Sequence, residues 1–186
     1  QQGYEKFGSL VEEAIGEDIS NYISLASMAH NHLVKEGCYD NVLQVSGVPR
    51  AFIQKCVVGG RTMCSGNKKS LNFEKYSHKK FSDFDAVSLY PSGMARMRGF
   101  LKGKPKIINP SINWRSQDGF FVELKVIIIG KHRQFPMMNI MTPDGVRKYT
   151  DDINDYIGNN IYVDREMLSI LEEYHQIEYE LIKGYY

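Results

Sequence analysis

Gly119-Phe120-Phe121-Val122-Glu123-Leu124-Lys125-Val126-Ile127-Ile128-Ile129 is the stretch that decides the fold. Phe121, Glu123 and Lys125 alternate with Phe120, Val122, Leu124 and Val126, a period of two that predicts a long strand over 119–129. Downstream, Asp144-Gly145 marks a hairpin turn. Short and long strands are predicted over 161–163 and 177–186. Between them Asp164 caps a helix whose Met167, Leu168, Leu171 and Tyr174 form a buried stripe. Upstream, Ile19, Tyr22, Ile23, Ala26, His30 and Leu33 recur at helical spacing and predict a helix over 18–35, with Asp18 capping its start and Gly37 its end. A second helix opens at Pro49, runs through Ala51, Phe52, Ile53 and Cys56, and breaks at Gly59-Gly60. His30 and His32 fall on different helix faces and are poor joint metal ligands. Helices followed by mixed strands, helices and hairpins predict an α+β fold with mixed or antiparallel strands rather than a doubly wound sheet.

Composition narrows the function classes. Hydrophobic residues make up 42% and charged residues 24%, which supports a packed core and excludes a disordered chain. Lys+Arg number 23 against 22 Asp+Glu, so nucleic-acid binding needs a local patch rather than a global field. One such patch is basic and interleaved with aromatics: Lys68, Lys69, Lys75, His78, Lys79 and Lys80 with Phe73 and Tyr76. It suits a nucleic-acid backbone or a plain solvated loop. Val126-Ile127-Ile128-Ile129 is the longest apolar run, far too short to span a bilayer, and no signal-peptide pattern opens the sequence. No membrane partner is expected. Cys38, Cys56 and Cys64 are odd in number and lack metal-site spacing, which suits a reducing, intracellular compartment. The chain begins Gln1-Gln2 and stops inside a β-rich run at Tyr186, so it is expected to be a piece of a longer protein.

The chemistry is carried by Asp83-Phe84-Asp85-Ala86-Val87-Ser88-Leu89-Tyr90-Pro91-Ser92. Phe81, Phe84 and Val87 suggest a strand over 81–87 that puts Asp83 and Asp85 on one face. Pro91 then opens a short helix through Met94, Met97 and Arg98, closed by Gly99, and Lys102, Lys104 and Lys106 follow in a loop. A carboxylate at a strand end, a tight turn and a helix start suit a metal-bound polyphosphate. The carboxylate is a hard oxygen ligand for Mg²⁺, and N–H groups of the first helical turn face the phosphates.

This stretch resembles motif A of the family B DNA polymerases, D-x-x-S-L-Y-P-S. Asp85, Ser88, Leu89, Tyr90, Pro91 and Ser92 occupy every fixed position. The resemblance implies that Asp85 is one of two carboxylates holding a catalytic pair of Mg²⁺ ions, with the Ala86 carbonyl completing the coordination. It further implies that Ser88 and the backbone of Leu89 and Tyr90 form the deoxynucleoside triphosphate site. The Tyr90 ring would block a ribose 2′-OH, and Ser88 and Ser92 would support the loop or the primer terminus. Asp83 reads as a solvated neighbour. Gly59-Gly60-Arg61 is similar to the Y-x-G-G motif by which protein-primed members contact single-stranded template, although Val57 stands where the tyrosine is expected.

The order of elements from 119 onward also resembles the protein-primed branch, found in viruses, linear plasmids and mobile elements. The resemblance therefore implies a helical connector over 1–58, the first part of the palm over 59–100, and over 101–186 an insertion resembling the region that contacts a terminal protein primer. Its partners would be template and primer DNA, deoxynucleotides, a terminal protein and the remainder of the polymerase chain. The family's fingers pattern K-x-x-x-N-S-x-Y-G and its D-T-D carboxylate motif are absent and are expected beyond Tyr186. The isolated fragment should then be inactive. Tyr149-Thr150-Asp151-Asp152 superficially resembles Y-x-D-D, but its polar flanks suit a turn or a helix cap. The competing readings are a polymerase-like module that binds nucleic acid or primer protein without catalysis, and a plain structural domain.

Overall fold

The computed structural model describes residues 1–59, 82–133, 137–150 and 152–186. Gly60, Arg61, the basic cluster over 61–80, Phe81 and Asp151 lie outside the described residues. Two compact units divide the chain, Gln1–Gln44 and Val45–Tyr186. Among the described residues no helix is long and apolar enough to cross a membrane.

The smaller unit opens with α1, Gln2–Ile15, a helix with a weak sequence signal. Its Tyr4, Phe7, Val11 and Ile15 keep helical spacing, a signal diluted by Gly3 and Gly8. The single helix expected over 18–35 is divided. Asp18 accepts from the Ser20 N–H at 2.8 Å and caps only a 3-10 turn, Ile19–Asn21. Tyr22 is extended, and its hydroxyl donates to Glu17 at 2.5 Å while accepting from Asn31 Nδ2 at 2.7 Å. Lys35 Nζ reaches the same buried carboxylate at 2.6 Å. Those bonds pull Tyr22 out of helical geometry. α2 therefore starts at Leu25 behind a Ser24–Ser27 capping box and runs to Lys35. It ends where expected: the Cys38 N–H bonds to the Leu33 carbonyl and the Gly37 N–H to the Val34 carbonyl, a Schellman closure.

The larger unit is built on β1, Phe121–Ile129, flanked by β4, Asn160–Asp164, and β5, Ile177–Tyr185. All pairings are antiparallel in the order β4-β1-β5, confirming the α+β class. Val122 faces Val163 and Leu124 faces Ile161, so one face of the sheet is apolar. α5, Arg165–His175, contributes Leu168 and Leu171 to that core, and Asp164 caps it by accepting from the Met167 N–H at 2.8 Å. The expected stripe needs one correction. Tyr174 is exposed and His175 is buried in its place. The His175 ring is satisfied on both sides: Nδ1 lies 3.1 Å from the Lys131 carbonyl and Nε2 accepts from the Met137 N–H at 3.2 Å. Main-chain partners on both ring nitrogens let the polar ring be buried.

α3, Gly47–Cys56, begins before Pro49 and covers the opposite face of the sheet. Proline tolerates a place in the first turn because that N–H has no helical partner. Phe52 meets the Tyr162 and Tyr185 rings edge-on at 5.8 and 5.2 Å between centroids. Cys56 is buried beneath the same helix, and burial pushes its thiol up to about 12. The expected hairpin is formed by β2, Ile140–Met141, and β3, Arg147–Lys148, with Gly145 in its turn at φ 82°. The buried Tyr156 hydroxyl anchors it, 2.7 Å from the Thr150 carbonyl and 3.0 Å from that of Met138.

Gly184 lets β5 lie tightly on β1. A Cβ there would stand 2.6 Å from the Phe121 carbonyl oxygen and 2.8 Å from Val122 Cγ1. Gly184→Ala should therefore cost about 1–3 kcal/mol through overpacking. Urea melting followed by circular dichroism checks this, and an unchanged midpoint would refute the close approach.

Candidate active site

The motif segment does not form the strand expected over 81–87. Residues 82–86 carry no sheet pairing, and Phe84 and Val87 are 90% and 91% exposed. A short apolar alternation becomes a strand only beside a free sheet edge. The outer edge of β5 is already used: Ile107 bridges Tyr185, with the Lys106 and Ile108 N–H groups bonding to the carbonyls of Tyr186 and Gly184 at 2.9 and 3.0 Å. Asp83 and Asp85 consequently share no strand face.

The turn and helix of the motif are formed. Ser88 takes the left-handed conformation, φ 51° and ψ 41°, and reverses the chain into α4, Leu89–Arg96. The Ser92 N–H closes the first turn on the Ser88 carbonyl at 2.9 Å. Ser88 makes no side-chain cap, and the Leu89 and Tyr90 N–H groups bond to no other described residue, as at a helix start. Partial positive charge gathers there, the arrangement that receives phosphate oxygens. Pro91 sits inside the helix rather than opening it, and the helix ends before Met97 and Arg98.

Asp85, Ala86, Ser88, Leu89 and Tyr90 are thus brought into one exposed run, with Ser92 half-buried at its end. Asp85 makes no hydrogen bond or ion pair with another described residue. Its carboxylate and the Ala86 carbonyl are hard oxygen donors, and magnesium commonly takes one or two carboxylates with substrate phosphates and water supplying the rest. The donor set fits one protein side of such a site. Among the described residues no group of three or more His, Cys, Asp or Glu side chains could jointly hold a metal.

Gly59 is described and exposed; Gly60 and Arg61 lie outside the described residues. The approach to Gly59 is held by a residue the sequence reading left without a role. Arg147 donates to the Lys55 and Val57 carbonyls at 2.5 and 2.8 Å and to Asn139 Oδ1 at 2.6 Å. The guanidinium caps the end of α3 from the β2–β3 hairpin. Nothing in local sequence marks it, because its partners are distant carbonyls. In the Y-x-D-D-like segment, Asp152 accepts from the Asn154 N–H at 2.9 Å and caps a 3-10 turn, Ile153–Asp155, as a polar turn would; Asp151 is outside the described residues.

A second polar feature lies on the α3-covered sheet face. Glu123 is only 6% exposed. Its Oε1 accepts from Asn160 Nδ2 at 2.8 Å and the Tyr162 hydroxyl at 2.9 Å, and Lys183 Nζ lies 3.3 Å from Oε2. Burial raises its carboxyl, but the bonds from Asn160 and Tyr162 and the Lys183 charge outweigh it and hold the carboxyl below its usual range. Burial, with the Glu123 carboxylate next, raises the Tyr162 phenol to about 12. The alternation in 119–129 placed Glu123 opposite the apolar face, but its burial depends on α3.

No protein-family profile, curated protein or solved structure matches the chain.

Two outcomes follow from the geometry. No side chain of α4 is buried, so its amides should exchange with solvent at least about a hundredfold faster than those of Val122 to Val126, as sites of low local stability do. Hydrogen exchange read by mass spectrometry checks this, and equal protection would contradict it. For Glu123 the folded carboxyl lies below its unfolded value. Its contribution is present above the ordinary carboxylate range and fades as pH falls through the folded value. Stability should drop as pH falls below about 5, and Glu123→Gln should flatten that drop in urea melts.

Proposed function

We propose that this chain is part of a DNA-directed DNA polymerase of family B, carrying motif A of the palm of a protein-primed replicative enzyme. The observation that carries the reading is the join of Asp85 to a left-handed Ser88 and the start of α4 within a run that fits D-x-x-S-L-Y-P-S throughout. A carboxylate, a sharp reversal and unmatched helix N–H groups follow one another in the order that a metal-bound triphosphate requires.

In this reading Asp85 and the Ala86 carbonyl hold magnesium, which when bound neutralises triphosphate charge and favours in-line attack by the primer 3′ oxygen. The Leu89 and Tyr90 N–H groups orient the triphosphate oxygens. The Tyr90 ring, which is exposed, excludes a ribose 2′-OH. Ser88 sets the reversal, and Ser92 steadies the turn near the primer terminus. Gly59, Gly60 and Arg61 contact single-stranded template, with Arg147 fixing the backbone that leads to them. Phe84, Val87, Leu89, Met94 and Met97 are apolar and exposed together, which suits a segment that further polymerase chain would cover. A second catalytic carboxylate and a triphosphate-gripping lysine would come from that remainder.

The experiment is nucleotide binding by the 186-residue chain, with a deoxynucleoside triphosphate titrated calorimetrically with and without Mg²⁺. Binding should need Mg²⁺ and weaken at least about tenfold in Asp85→Asn, the loss of one charge-assisted contact. Primer extension by the isolated chain should be absent. Metal-independent binding unaffected by Asp85→Asn would favour a polymerase-like binding module without catalysis. Extension that Asp85→Asn abolishes would overturn the view that the remaining catalytic groups lie elsewhere.

A further inference from the structure

Beyond α4 the chain builds a basic groove of about 790 Å³. Arg98, Lys102, Lys104, Lys106 and Arg165 line it, with Asp118 as the one carboxylate side chain among its lining residues. A chain of net charge +1 has here a local excess of positive charge. Such an excess draws a polyanion only where the cations are held in place.

They are held. Lys106 exchanges backbone hydrogen bonds with Tyr186 at 2.9 Å in both directions, so the lysine loop is stitched to the end of the sheet. At its other end Leu101 lies over Gly119, where a Cβ would meet Leu101 Cδ1 at 2.4 Å. Arg165 donates to the Gln117 and Asp118 carbonyls at 3.2 and 2.8 Å and fixes the opposite wall. Lys102, Lys104 and Lys106, separated by Gly103 and Pro105, belong to a short loop pinned at both ends.

The groove also offers ring faces. Phe100 lines it at 65% exposure. Tyr186 lines it as well, half-buried against the core, with Lys106 Nζ 5.8 Å from its ring centroid. Cations on a pinned loop and an exposed ring in one open groove match a single nucleic-acid strand, whose phosphates meet the cations and whose unpaired bases stack on the ring. A duplex keeps its bases stacked inside and would leave Phe100 unused. An acidic peptide would meet the cations but not the rings.

We infer that the groove lined by Arg98, Phe100, Lys102, Lys104 and Lys106 binds single-stranded nucleic acid through its phosphate backbone and stacked bases. The inference stands on the groove and does not require the Asp85 site to be active.

The test is fluorescence anisotropy of a labelled oligothymidylate with the 186-residue chain, titrated across salt concentrations. The Lys102→Gln/Lys104→Gln/Lys106→Gln variant should weaken binding at least about tenfold and reduce the slope of log K against log salt by about 2, the value for three lost phosphate contacts on a single strand. Phe100→Ala should weaken it about fivefold or more with the slope unchanged, as loss of a stacking face does. The titration is run in metal-free buffer without deoxynucleotide, so failure of the polymerase reading and failure of this one are distinguishable. Circular dichroism confirms that each variant remains folded. Absent binding, a triple variant that binds like wild type, or binding lost only when the lysines of 61–80 are replaced would each overturn the inference. Equal affinity for a blunt duplex, or equal competition by polyglutamate at matched ionic strength, would overturn the assignment to a single strand.

Discussion

The larger unit depends on β1 being hydrogen-bonded along both edges and covered on both faces. A middle strand in that position cannot leave a polar side chain to water, and the sheet accordingly answers each side of β1 differently. Val122, Leu124 and Val126 meet α5 through Leu168 and Leu171 in an apolar layer. Glu123, one pleat away, meets Asn160, Tyr162 and Lys183 beneath α3. Removing a buried carboxylate's partners exposes its desolvation cost, so the polar trio and α3 are tied to the strand as firmly as the core is. Irregularities in the β1–β5 register, with Ile127 left without a partner, let the strand turn its last residue, Ile129, back into the core.

The same sheet determines where chemistry can sit. Its β5 edge is paired with residues 106–108, while the motif segment from Ser82 carries no sheet pairing and stays open to solvent. Openness suits a site that must admit a triphosphate and a primer end. It leaves orientation to the turn at Ser88 and the start of α4 rather than to packing. The basic groove follows in the chain and is anchored at the end of that sheet. A proposed nucleotide site and a proposed strand-binding groove are therefore consecutive in sequence, the first loosely held and the second pinned.

Much of the architecture was legible beforehand. The period-two run at 119–129, Asp164 before an apolar helix, Asp144-Gly145 and Gly37 each act through their immediate neighbours and behaved as read. The departures share one cause. Tyr22 broke a periodic helix because Glu17 and Asn31 claimed its hydroxyl. His175 displaced Tyr174 from the core because Lys131 and Met137 paired its ring. The segment around Asp85 carries no sheet pairing because a strand needs a partner that local alternation does not supply. Arg147 stayed unnoticed because its acceptors are main-chain carbonyls on another element.

The sequence by itself determined the α+β class, the central strand, the capped helix after it and the residues of the Asp85–Ser92 turn. These rest on spacing, capping and turn preference, which act over a few residues. Only the tertiary structure decided that Glu123 is buried, that Lys106 is stitched to Tyr186, that Arg147 closes α3, and that cations and rings converge into one groove. Those outcomes depend on which surfaces meet after the strands pair, and pairing brings together residues whose separation along the chain carries no local signal.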